Sequence, residues 1–545
     1  MKYWIIALLC CGMPFFVNAQ WNYPNYEALK KQIQEVAANK LVEKTSVGKS
    51  YAAEDIPLLK IQTDKTAKPT LLIVAGIDGK HPAGVINSLN VAKHILALPA
   101  DQLNQILANK SIWIIPVLNV DAYKRNSTAA SLTSGNARTI DNDRDGRIDE
   151  DPEADLNNDG VISQMRIKSP AGPYKEHDSN PDYLMLAERN KGESGSFELY
   201  SEGRDLDQDG KFSEDDKSGV NIDKNFTFDY PFFEPETGDY AASEPETRAI
   251  IDLIFDNPQI AAVLHFGLQN NLSVPEQFDQ RKASERIVKS WTNNDAQVAA
   301  FVSKIYNDAV KPLGEAPKMQ QGKGNFSPTV YYHTGKFSFV TPSWWIPTTS
   351  DSSKNLINKD AAPKNPGNKN SDRFVNWVKN QGVQGAILPW TKVNHHDFPN
   401  QEVEVGGLVE RFENNPPIAM LENAGKMHAD FVVELTRSLA SLEFSAPKVT
   451  NLGDDIYRIE VKVFNTGAMP VYPEIADKIK HVSKMKSIME LQKNQSFLSG
   501  KRLQLYPTLQ AGASNTFSWL VKGKGKIKLI VGCPTAGEKT LDINL

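Results

Sequence analysis

Asp78 and His81 stand three residues apart in Gly76-Ile77-Asp78-Gly79-Lys80-His81. A carboxylate and an imidazole at that distance can ligate a metal or exchange a proton. A second imidazole, His265, lies near the end of the apolar run Ile260–Phe266. Two imidazoles and a carboxylate with an open fourth position form a workable donor set for catalytic zinc. Taken singly, each histidine reads equally well as a hydrogen-bonded structural residue, and spacing alone fixes no distance between them.

Three further segments carry oxygen donors at positions 1, 3 and 5 followed by glycine. They are Asp141, Asp143, Asp145 with Gly146; Asp155, Asn157, Asp159 with Gly160; and Asp205, Asp207, Asp209 with Gly210. That pattern suits the oxygen shell of a hard cation and the sharp turn that wraps it, so calcium is expected. The third loop has Asp216 at position 12 as a closing carboxylate. In the first loop Pro152 stands there, and Asp149, Glu150 or Asp151 must substitute; the second has Arg166. The alternative is a solvated acidic loop, which three copies in one segment argue against.

The elements that must position these groups follow from hydrophobic pattern. Thr70–Ala75 is a continuous apolar run and reads as a buried strand, ended by Gly76 and Gly79 and followed by a helix through Val85, Leu89, Ala92 and Leu96. Open α/β sheets place their sites at such strand ends. A leading helix at Tyr26–Lys40 and strands at 41–47, 56–62, 112–117 and 260–266 complete an α/β domain with a parallel or mixed sheet. A helix opens at Ser243-Glu244-Pro245-Glu246, with Ser243 as its cap. Val330–Trp345 reads as an aromatic strand, and Phe431–Leu442 as a helix. Between 127 and 219 the apolar pattern gives way to acidic, Gly- and Ser-rich sequence, an insertion that needs something besides a core to order it. From 446 onward, alternating runs separated by Gly, Asn and Pro turns suggest a β-sandwich.

Charge and composition bound the function. With 61 basic and 66 acidic residues, a net charge of −5 gives no case for nucleic acid. Lys2, the apolar stretch Trp4–Val17 and Val17-Asn18-Ala19 form a signal-peptide pattern cleaved before Gln20, so a secreted or periplasmic protein is expected. No later segment is long enough to span a membrane. Cleavage would leave Cys533 as the one cysteine, which excludes an intrachain disulfide. The expected layout is a signal at 1–19, a main domain at 20–425, a connecting helix at 426–445 and a sandwich at 446–545.

Several segments together resemble the zinc carboxypeptidase family, the carboxypeptidase A-like metallopeptidases, and its secreted bacterial branch with calcium-type insertions. They are GIDGKHPAG, NVDAY, GVNIDKNF, SEPETRAI, VLHFG, TGKFSF and HHDFPNQEVEVGG. The resemblance implies a mixed sheet flanked by helices, zinc, and peptide substrates trimmed at the C-terminus. It also exposes departures. The family's first metal motif is His-x-x-Glu, and here Asp78 and His81 hold those positions; His265 matches the third ligand. The substrate-carboxylate pair Asn-Arg becomes Asp223-Lys224, which keeps one cation, loses the guanidinium fork and adds a like charge beside the expected anion. Pro342 falls where the family has its general-base Glu. Glu404 is the reserve base, and Arg138 the candidate for polarising a scissile carbonyl.

Two readings of this site compete. In one, the site is degenerate and binds a peptide or related ligand without the family's water activation. In the other, Asp78, His81 and His265 hold zinc, Lys224 anchors the substrate and Glu404 acts as base. A third reading is an assembly module held by calcium and the sandwich.

Overall fold

The structure is a computed structural model describing residues 21–141, 146, 148, 151–206, 208, 210, 212–213, 218–317, 319, 321–347, 366–480 and 482–545. Residues 1–19, where the sequence pattern predicts a signal peptide, lie outside the described residues, as do Asp143, Asp145, Asp149, Glu150, Asp207, Asp209 and Asp216.

The site is carried by a six-stranded mixed sheet. Its order is Val42–Lys49, Asp55–Ile61, Ser111–Ile115, Thr70–Ala75, Ile260–Phe266 and Phe337–Thr341. The last four run parallel, and the first two are antiparallel additions. Thr70–Ala75 and Ile260–Phe266 are buried at every position, as expected of central strands covered on both faces. Their C-terminal ends lie side by side, with Val74 opposite His265. The register thus brings the Asp78–His81 turn and His265 to the same edge of the sheet.

The segment read as one aromatic strand at Val330–Trp345 is instead a helix, Phe326–Thr334, followed by the strand Phe337–Thr341. Gly335 separates them at φ +65°, the left-handed conformation that ends helices and favours glycine. The late helix begins at Leu421, ten residues before the expected start. Gly425 masked its pattern; a side chain there would strike Asn90 on the helix Pro82–Leu96, so glycine permits the close crossing. Ser243 does not cap the helix Pro245–Asp256. Glu244 occupies the cap, and the Ser243 hydroxyl donates to its carboxylate at 2.7 Å.

The acidic insertion holds regular structure of its own. Gln164–Lys168, Tyr174–His177, Asn180–Leu186 and Phe197–Ser201 join Ile387–Val393 and Val403–Leu408 in a second six-stranded sheet, antiparallel throughout. Long-range pairing, Gln164–Lys168 with Val403–Leu408, supplies the order that no local pattern signals. The two ends of the insertion meet. Asn136 N donates to the Val220 carbonyl at 2.9 Å, Gly135 N donates to the Ser218 hydroxyl at 2.9 Å, and a side chain on Gly135 would collide with the Gly219 backbone.

The C-terminal region is all antiparallel, two sheets enclosing Trp519, Phe517, Val461, Leu529 and Val531. The Asp295 carboxylate fastens it to the α/β body by accepting from the Glu474 and Ile475 amides, at 2.8 and 3.1 Å.

Candidate functional site

Asp78 and His81 share the turn that leaves the strand Thr70–Ala75, and His81 N donates to the Asp78 carbonyl at 3.2 Å. His81 directly precedes the helix Pro82–Leu96. Its ring is buried, and Nε2 lies 2.9 Å from the Pro342 carbonyl. A carbonyl only accepts, so Nε2 carries the proton and Nδ1 is left as the bare nitrogen, without a hydrogen-bond partner. Burial lowers the His81 pKa to about 4, outweighing the pull of Asp78 and of the Pro342 and Phe266 carbonyls in the other direction.

His265 is equally buried, and neither ring nitrogen has a partner. Burial and the neighbouring His81 lower its pKa to about 3, so both imidazoles are neutral across the physiological range. Its ring packs edge-on to Phe326 at 5.5 Å between centroids. A side chain on Gly267 would run into that ring, which explains the glycine.

Asp78 is only partly buried. Its two carboxylate oxygens accept from Lys80 N at 2.8 Å and from the Asn221 side-chain amide at 3.3 Å. Asn221 in turn accepts from Asp223 N at 2.9 Å, so one amide side chain links the two acidic residues. Asp223 is buried, with Phe326 N donating to one carboxylate oxygen at 2.9 Å and the Gln269 amide to the other. Burial, with Asp78 adding to it, raises the Asp223 pKa to about 7 despite those two donors.

The remaining sequence-derived candidates are engaged elsewhere. The Lys224 ammonium pairs with Glu236 at 2.6 Å. Arg138 pairs with Asp239 at 2.7 Å and Glu244 at 3.2 Å. Glu404 sits on the second sheet, opposite Arg166 in register, and accepts from its Nε at 2.8 Å. Pro342 contributes its carbonyl to His81. Sequence reading missed Gln269 and Asn325, whose amides both bond to residue 223. The signals available were the polar run Gln269-Asn270-Asn271 just past His265, and Asn325 at the cap position before the helix Phe326–Thr334.

In the insertion, the described parts of the three acidic loops share one turn. The glycine amide donates back to the first aspartate: Gly146 to Asp141 at 2.9 Å, Gly160 to Asp155 at 2.8 Å and Gly210 to Asp205 at 3.0 Å. All three glycines lie at positive φ, between +84° and +97°. In the second loop, Asn157 and Asp159 accept from the Asp159 and Val161 amides. Asp151 and Asp397 extend the third loop, accepting from Leu206 N at 2.7 Å and Asp205 N at 3.2 Å.

A family model described as zinc carboxypeptidase matches residues 29–336, more than half of the chain. The chain belongs to the zinc carboxypeptidase family. A second model, a domain of unknown function, matches residues 441–544. Among solved structures, the carboxypeptidase A from Helicoverpa armigera is 15% identical over 58% of this chain and 63% of its own, with a TM-score of 0.37. A metallo-carboxypeptidase from Burkholderia cenocepacia is 9% identical over 75% of this chain and 68% of its own, with a TM-score of 0.33. The chain thus spans less than two thirds of the first of these. No curated protein matches it.

Family membership implies zinc as a cofactor, so the donor set can be tested against that ion. Among the described residues, no three His, Cys, Asp or Glu side chains come together as a group able to hold a metal. His81 Nδ1 and both His265 nitrogens are without partners, so the failure is one of convergence and not of occupied donors. The residues present do not fit a zinc centre built from Asp78, His81 and His265.

Proposed function

We propose that this member of the zinc carboxypeptidase family binds a peptide or related ligand at a degenerate site, without the family's water activation. One observation carries the reading. Pro342, at the position where the resemblance places the general base, offers no carboxylate, and its carbonyl holds His81 Nε2 at 2.9 Å. Loss of a general base alone lowers a rate by ~10²–10⁴. The ion pairs of Lys224, Arg138 and Glu404 support the same reading, since each withdraws a group that catalysis would need free.

The test is metal analysis of the purified protein together with release of C-terminal residues from a peptide library. The expected result is far less than one zinc per chain and no release. About one zinc per chain with residue release establishes the alternative, an active metallocarboxypeptidase.

The shared glycine turns favour a second part of the proposal, calcium as the ion that orders the insertion. Chelation should lower the melting temperature and open residues 127–219 to protease; an unchanged melting curve refutes it. Export to the periplasm or beyond, proposed from the N-terminal pattern, predicts a mature chain that begins at Gln20.

A further inference from the structure

We propose that the cavity beside Pro342 takes an aromatic residue of the ligand, with an acceptor oxygen of that ligand held by Trp345 and Arg373. The inference rests on the peptide-binding reading just given and names the class of residue bound. Three separate parts of the chain build the cavity. Pro342, Trp344 and Trp345 follow the strand Phe337–Thr341 of the site sheet, Arg373 and Phe374 lie on the helix Pro366–Gln381, and Tyr183 comes from the strand Asn180–Leu186 of the second sheet. Its volume of about 420 Å³ falls within the range of small-ligand sites. Pro342 makes it continuous with the candidate site, because the Pro342 carbonyl meets His81 Nε2.

The aromatic walls are already fixed by one another. Phe374 packs against Tyr183 and against Trp377, at 5.9 Å between centroids in each case, and Trp344 packs against Trp377 at 5.4 Å. Rings held in this way lose little freedom when another ring stacks on them or meets their edges. The polar part of the lining is a set of donors in want of an acceptor. Trp345 is only 4% exposed. Its Nε1 and the Arg373 Nε are buried, and among the described residues neither has a hydrogen-bond partner. Buried donors left so cost free energy and call for an explanation. Arg373 Nη2 donates to the Glu315 carbonyl at a long 3.4 Å. Burial lowers the Arg373 pKa and the Glu315 carboxylate offsets this only in part, so the guanidinium has little counter-charge. Glu413 also lines the cavity, but the charges acting on it are Glu410 and Lys80. Two orphaned donors among aromatic walls suit a ring with a carbonyl or carboxylate oxygen beside it. A ligand ammonium would bring more donors and a like charge against Arg373.

The test is a ligand-observed NMR titration of the full chain with four probes: Nα-acetyl-phenylalanine amide, Nα-acetyl-phenylalanine, Nα-acetyl-alanine amide and phenethylamine. Tighter binding of the first assigns a backbone carbonyl as the acceptor, and tighter binding of the second a carboxylate. The alanine probe should bind at least about tenfold more weakly, the scale of burying one ring. Phenethylamine, a ring without an acceptor, should bind more weakly than either phenylalanine probe. Arg373→Met should weaken the better phenylalanine probe about tenfold, as loss of a charge-assisted contact does. Trp345→Phe keeps a ring and removes the N–H, and should weaken it about fivefold. Should Trp345→Phe fail to fold, Arg373→Met, at a partly buried position, decides the matter. Equal binding of the alanine probe, preference for phenethylamine, no binding, or an unchanged affinity in Arg373→Met overturns the proposal. A zinc-free, inactive protein that ignores the phenylalanine probes sinks this cavity assignment alone, whereas a zinc-loaded, hydrolytic protein sinks the degenerate-site reading beneath it.

Discussion

The two six-stranded sheets are held by different means. In the site sheet, Thr70–Ala75 and Ile260–Phe266 are buried residue by residue, and their cohesion comes from apolar area removed from water. In the second sheet, Ile387–Val393 has no buried residue and Gln164–Lys168 is buried at only its central three. There Arg166 joins the strands, pairing with Glu176 and Glu404 while its guanidinium lies over Phe197 and Trp390. The second sheet keeps apolar packing at its centre, where Val403 and Val405 meet Met165 and Ile167, and turns to charge and pairing at its edge.

The comparison can be broken most forcefully with one substitution made in both sheets. Leu72→Ala, at a fully buried position, should cost about 4 kcal/mol in denaturant unfolding, and Leu199→Ala, at a partly buried one, about 1 kcal/mol. Similar losses at both would show that the second sheet rests on apolar packing there as well.

A smaller effect tests the charged seam. Arg166→Met keeps much of the aliphatic stem but leaves Glu404 and Glu176 without their partner, and should cost about 2 kcal/mol. Proteolysis should then begin in 151–206 while amide exchange in Thr70–Ala75 stays slow. Protection lost equally in both sheets would show that they unfold as one unit.

The smallest effect concerns the root of the insertion. The Glu246 carboxylate accepts from Tyr51 N at 2.9 Å and from the Asn136 amide at 3.3 Å, and burial raises its pKa to about 7. The folded state therefore holds a proton that the unfolded chain has released. This contribution to stability is full below the unfolded value of about 4.5 and declines as pH rises toward 7. Glu246→Gln should flatten the decline, measured as the melting temperature from pH 4.5 to 7.5. An unaltered slope would exclude Glu246 as its source.

What was legible in the sequence follows the same division. Thr70–Ala75 and Ile260–Phe266 were readable because a strand buried on both faces writes itself as an unbroken apolar run. Gln164–Lys168 was not, because one of its two partner strands lies more than two hundred residues away and its buried face is short. The aromatic run before Thr341 was misread because Phe, Tyr and Val serve a buried helix as well as a strand, and Gly335 alone marks the break. At the site, residue types and sheet edge were readable. The partners were not: His81 meets Pro342 261 residues away, and neither spacing nor periodicity encodes that contact.

The meeting of Gly135 and Gly219 has one more consequence. Because the chain leaves and re-enters the α/β body at one point, the intervening residues form a cassette whose excision leaves two ends already in bonding reach. A short splice across that point would join the ends of the body, but it would strip Val403–Leu408 of its partner strand Gln164–Lys168, so the insertion is exchanged only together with the later strands that complete its sheet.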